Sequence, residues 1–122
     1  MSAAEVTQWL ERYVAAWKSG DRDEIGELFA EDVRYRYHPP DEPLVGRDAV
    51  VESWLAEPDA PGSFDASYSC YAADGDAAVA VGTSTYLDSD GSIVRVYDNV
   101  FLLRFDQDGR CSEFTEWYLK RP

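Results

Sequence analysis

The chain has 122 residues, 45% hydrophobic and 29% charged, the proportions of one soluble globular domain. Its 24 Asp and Glu outnumber 11 Lys and Arg, for a formal charge of −13, which repels nucleic-acid phosphates and anionic membrane surfaces and excludes both as partners. No apolar run approaches the ~20 residues of a membrane span, and the N-terminal MSAAEVTQ lacks the basic and apolar segments of an export signal, so a cytoplasmic location is expected.

Ser2 and Glu5 form a capping box that starts a first helix near Ala3. Val6, Trp9, Leu10, Tyr13, Val14 and Trp17 repeat at the spacing of one buried helical face, and Gly20 ends the helix. Asp21 and Glu24 read as a second capping box, before a short helix whose inner stripe is Ile25, Leu28 and Phe29. Val33, Tyr35 and Tyr37 then alternate with Arg34 and Arg36, the period of a strand, until Pro39 and Pro40 close it. After a loop from His38 to Val45, Gly46 leads into a third helix over 47–56, with Ala49, Val50, Trp54 and Leu55 as candidate buried positions.

Beyond the loop at 57–63 only strands are predicted, over 64–73, 77–87, 93–105 and 111–120. Three acidic, Gly-containing turns join them as consecutive antiparallel hairpins. Cys70 and Cys111 sit at alternating strand positions with no CxxC, as buried thiols would, although a disulfide remains an open alternative. The strand over 93–105 is apolar on both faces: Tyr97, Asn99, Phe101, Leu103 and Phe105 share one, Val96, Val100 and Leu102 the other. With no helix left to cover the second face, a homodimer packed sheet to sheet is the simplest cover.

The order α-α-β-α-β-β-β-β, the phrase RYVAAWKSGD (12–21), LFAEDV (28–33), VGRDAV (45–50) and the ending FLLRFDQDGRCSEFTEWY (101–118) resemble the NTF2-like superfamily, most of all its SnoaL-like and ketosteroid-isomerase-like members. The resemblance implies an α+β cone, also called cystatin-like. Three N-terminal helices would pack on a strongly curved, mixed but mainly antiparallel sheet around an internal apolar pocket. It does not fix function, because the family holds isomerases, dehydratases, epoxide hydrolases, cyclases and non-catalytic binding proteins. Tyr13 falls where ketosteroid isomerases place an oxyanion-hole tyrosine. Tyr37 and His38 stand where their general-base Asp would be, and Phe101 where their second oxyanion donor would be. Two of the three catalytic groups are missing, which excludes ketosteroid isomerisation by that mechanism.

By the same alignment Phe114, Glu116 and Tyr118 point into the cone, and Glu113, Thr115 and Trp117 away from it. Glu116 is then the one acid deep in an apolar cavity, where desolvation raises a carboxyl's pKa toward neutrality. The plainer alternative pairs it with Arg34, Arg36 or Arg95. Tyr13, Tyr37 and Tyr118 can donate hydroxyl hydrogen bonds to a ligand. Asn99 needs a partner inside the cone and can orient Glu116 or a ligand. Trp9, Trp17 and Trp54 would form the helical wall, with Trp17 and Trp54 the better pocket candidates and Phe101 and Phe114 contributing from the sheet. His38, the lone histidine, stands at the predicted mouth as either a proton carrier or a loop pin. Asp32 reads as a turn or cap acid, and Asp98 as an outer-face group for an interface hydrogen bond. One histidine without clustered ligands argues against a metal, and no phosphate loop or GxSxG motif suggests a nucleotide cofactor or a nucleophilic triad.

These readings lead to a small-molecule pocket protein for an apolar cyclic ligand. As an enzyme it would be a cofactor-independent isomerase, dehydratase or cyclase in which Glu116 or His38 moves a proton while Tyr13 and Asn99 hold an oxyanion. The alternative is a non-catalytic ligand-binding or dimerisation module.

Overall fold

The computed structural model describes all residues from Met1 to Pro122. Helix α1 (Ala3–Ser19) opens on the predicted reciprocal box between Ser2 and Glu5 and closes at Gly20, whose φ of 63° is the left-handed conformation glycine tolerates. Its buried stripe is Val6, Trp9, Leu10, Tyr13 and Ala16, while Val14 and Trp17 lie at its half-buried margins. Helix α2 (Arg22–Glu27) is capped by Asp21, which accepts from the Glu24 amide. The expected reciprocal limb is replaced: the Glu24 carboxylate accepts from the Ser19 hydroxyl at 2.8 Å, and that hydroxyl oxygen accepts from the Asp21 amide at 3.1 Å.

Strand β1 (Phe29–Arg36) starts earlier than periodicity suggested. Phe29 belongs to it and not to the helix, because it pairs with Cys111 across the sheet. Asp32 consequently lies on an exposed strand position and not in a turn. A two-residue strand β2 (Leu44–Val45) pairs with Arg34 and Tyr35 inside the stretch read as pure loop; two residues carry no period to detect. Helix α3 (Arg47–Ala56) buries Val50 and Val51, leaving Ala49, Trp54 and Leu55 half-buried.

Strands β3 (Phe64–Asp74), β4 (Ala77–Leu87), β5 (Ile93–Phe105) and β6 (Cys111–Lys120) are the expected antiparallel meander. The six strands run β2-β1-β6-β5-β4-β3, with β1 and β6 the one parallel pair. Register shifts after Phe29, Cys70, Tyr86 and Arg104 mark irregularities of the bulge type, which bend strands and raise local twist. The sheet thus curves around α1 as an α+β cone.

The core lies on the concave side. The Trp9 indole N–H donates to the Leu28 carbonyl at 3.0 Å, which ties α1 to the end of α2. Cys111 is a fully buried thiol and Cys70 a half-buried one, with no bond between them. Asp98, assigned from sequence to an interface, instead pairs with Arg121 of the same chain through two contacts of 2.8 and 2.9 Å. No helix is long and apolar enough to cross a membrane.

Candidate functional site

Strand parity builds the site. On β5 the odd-numbered side chains from Phe105 to Arg95 climb the inner face, and on β6 Phe114, Glu116 and Tyr118 climb beside them. The lowest rungs are solid. Phe101 and Phe114 are fully buried; Phe114 stacks on Tyr35 at 4.4 Å, and Tyr68 packs on Phe101 at 4.7 Å between centroids. Both phenylalanines, read as ligand contacts, lie behind the pocket wall and not on it, because Tyr13, Tyr35 and Tyr68 stand between them and the cavity. Trp9 is likewise core: its ring meets Phe29 and Phe105 edge-on, below the cavity.

Above these rungs a cavity of about 330 Å³ opens toward solvent. Tyr13, Trp17, Trp54, Tyr68 and Tyr86 supply much of its aromatic wall, and Asn99, Ser84 and Glu116 its polar centre. The Ser84 hydroxyl donates to Asn99 Oδ1 at 3.1 Å, and Asn99 Nδ2 donates to Glu116 Oε2 at 2.7 Å. This chain meets the hydrogen-bond demand of a buried amide from both ends. It also leaves Glu116 Oε1 without a partner in the protein. No arginine reaches Glu116: Arg36 donates to the Asp41 carbonyl, and Arg95 lies over the Tyr86 ring. Burial pushes the Glu116 carboxyl up to about 7, against smaller downward pulls from the Asn99 hydrogen bond and from His38.

Tyr13 is buried beside the acid. Desolvation, aided by Tyr35 and Glu116, holds its hydroxyl well above the ordinary tyrosine range, so it serves as a donor and not as a base. The Trp54 indole donates to the Tyr35 hydroxyl at 3.3 Å, and Tyr37 exchanges a 2.7 Å hydrogen bond with Ser53. Trp17 stacks on Phe64 at 3.9 Å and donates to Asp59 at 2.9 Å.

His38 does not line the cavity. Its Nε2 lies 2.8 Å from the Tyr118 hydroxyl, which does, and its Nδ1 lies 3.0 Å from Asp41 Oδ2. An ionised carboxylate only accepts, so Nδ1 carries a proton, and a neutral His38 offers Nε2 as acceptor to Tyr118. Any influence of His38 on a ligand therefore passes through Tyr118 or through its charge.

Ser84, Tyr86, Tyr68, Asp41 and Arg95 join the site without a signal read from the sequence. Ser84 and Tyr86 share the inner parity of β4, and applying the face rule used on β5 would have found them. Asp41 lies in a loop, where no periodicity operates.

A curved mixed sheet wrapped on α1, with an aromatic cavity holding one desolvated acid, defines an NTF2-like cone. The SnoaL-like domain model matches residues 10–114, and the chain belongs to that family. Its fold is similar to that of an NTF-2 like protein of unknown function from Burkholderia xenovorans LB400, at 16% identity over 98% of this chain and 88% of that one, with a TM-score of 0.70. No curated protein matches the chain.

Proposed function

We propose that the protein binds an apolar cyclic ligand in the cone and catalyses a cofactor-independent proton transfer on it. Isomerisation, dehydration and cyclisation all fall within this class. The observation that carries the reading is the Ser84–Asn99–Glu116 chain. It holds one carboxyl oxygen while the other stays free at the cavity, on an acid whose proton affinity lies near neutral pH. Glu116 takes a proton from a carbon acid through Oε1 or returns one there. The Tyr13 hydroxyl, a cavity-lining group kept protonated by burial, donates to a developing oxyanion in this scheme. Asn99 gives one Nδ2 hydrogen to Glu116 and so positions the acid, and its second Nδ2 hydrogen joins the Tyr13 hydroxyl as an oxyanion donor in this scheme.

Deuterium incorporation next to the carbonyl of a panel of cyclic ketones, followed by NMR in D2O, tests this. The wild type should accelerate exchange of at least one ketone, and Glu116→Gln should lose about 10²-fold or more of that rate with ligand affinity retained. Equal exchange by both proteins removes Glu116 from the mechanism. Binding without exchange in the wild type favours the non-catalytic pocket.

The same reading includes a sheet-to-sheet homodimer. Val100, Leu102 and Trp117 are each roughly two-fifths exposed on the convex face. Register sets Val81 and Trp117 on either side of Val100, and Val79 beside Leu102, so the apolar surface is continuous across three strands. Replacing Val100 and Leu102 together by lysine should convert dimer to monomer or to insoluble chain in sedimentation experiments. A soluble dimer unchanged by both lysines would move the interface elsewhere.

A further inference from the structure

We propose that the cone's ligand is a cyclic acid, its ring body in the aromatic cavity and its carboxylate held at the lip by Arg95. Arg95 is the only Lys or Arg among the side chains that line the cavity. Its guanidinium carbon lies 4.3 Å from the centroid of the Tyr86 ring. The cation lies over the ring face, and no protein group accepts from its N–H edge, the edge that binds a carboxylate through two parallel hydrogen bonds.

That edge is unclaimed. No carboxylate lies within 4 Å of Arg95, as of Arg12, Arg34, Arg36 and Arg47, and among these unpaired arginines only Arg95 lines the cavity. The nearby rim acid Asp59 is engaged by the Trp17 indole. Arg95 and Asn99 stand four residues apart on the inner face of β5, roughly 13 Å at ~3.3 Å per residue. A ligand anchored at Arg95 and reacting at Glu116 spans the cavity, whose volume of about 330 Å³ accommodates one fused-ring acid.

This inference rests on the pocket reading above, and 2-naphthoate with its neutral isostere 2-naphthamide separates the two. The protein carries its own reporters in its four tryptophans. Trp17 and Trp54 line the cavity, Trp9 is core, and Trp117 lies on the convex face. Titrations at pH 8, followed by the indole N–H resonances, should show both probes shifting Trp17 and Trp54. Naphthoate should bind at least ~10-fold more tightly, and Arg95→Gln should abolish that preference while changing naphthamide affinity less than ~2-fold. Equal affinity of the two probes for the wild type, or a preference that survives Arg95→Gln, overturns the role of Arg95 and leaves the pocket standing. Shifts confined to Trp117, or no binding by either probe, overturn the pocket reading and this inference together.

Discussion

Glu116→Gln should stabilise the folded protein by roughly 3 kcal/mol at pH 8 and leave its stability unchanged near pH 4. The ordinary value of 4.5 describes the unfolded chain, and burial raises the folded value to about 7. Each tenfold change in proton affinity is worth about 1.4 kcal/mol. Below pH 4.5 the carboxyl is protonated in both states and contributes nothing. As pH rises from 4.5 to 7 the unfolded state ionises first and is favoured, so the group costs stability progressively; above 7 the cost is complete. Glutamine removes the titration and can still accept from Asn99 through its amide oxygen. For a domain of this size the gain corresponds to roughly 10 °C in melting temperature at pH 8. Parallel denaturant titrations of both proteins from pH 4 to pH 8 measure it. A difference that does not vary with pH would mean an acid already ionised and solvated at neutrality, and the proposed proton carrier would be lost.

Gly82→Ala should destabilise the protein by about 3 kcal/mol, the upper part of the usual range for forcing an atom into a packed site. Gly82 pairs directly with Tyr68. A Cβ there would lie 2.1 Å from the Ser67 carbonyl oxygen, 2.5 Å from Tyr68 Cδ1 and 2.7 Å from Tyr68 Cα. Two of the three are backbone atoms, so no rotamer change makes room and β3 must move away from β4. Gly82 has no positive φ; space alone demands glycine. The Tyr68 side chain folds across it toward Tyr13 and Phe101, filling the gap an aromatic cross-strand neighbour can fill. Because Tyr68 is also pocket wall, the variant should lose ligand affinity along with stability. Urea midpoints report the first effect, and a wild-type midpoint would show that the two strands part at little cost.

Much of this architecture was legible because it rests on short-range rules. Ser2, Glu5 and Gly20 bound α1 through local hydrogen bonds and one backbone conformation, and the acidic Gly turns set the hairpins. Parity along β6 sets Glu116 on one face with Phe114 and Tyr118, the family resemblance turns that face inward, and parity on β5 sets Asn99 with Tyr97 and Phe101. The misreadings share a cause. The spacing of Phe29 from Ile25 is helical, yet its pairing with Cys111, 82 positions away, makes it strand. Phe101 and Phe114 have the correct face, but whether a ring lines a cavity or backs it depends on the depth of α1, which no strand encodes alone.

The amino-acid order by itself determined the three helices, the four long C-terminal strands and which residues of each share a face, since caps, turns and side-chain periodicity act over a few residues; the start of β1 and the pairing of β2 it did not. Only the tertiary structure decided the chemistry of that inner face: that Asn99 clasps one oxygen of Glu116, that His38 meets Tyr118 from 80 positions away, and that Arg95 lacks an acidic partner. Desolvation and charge pairing are sums over neighbours remote in sequence, and they take their values only when the sheet has closed around the helix.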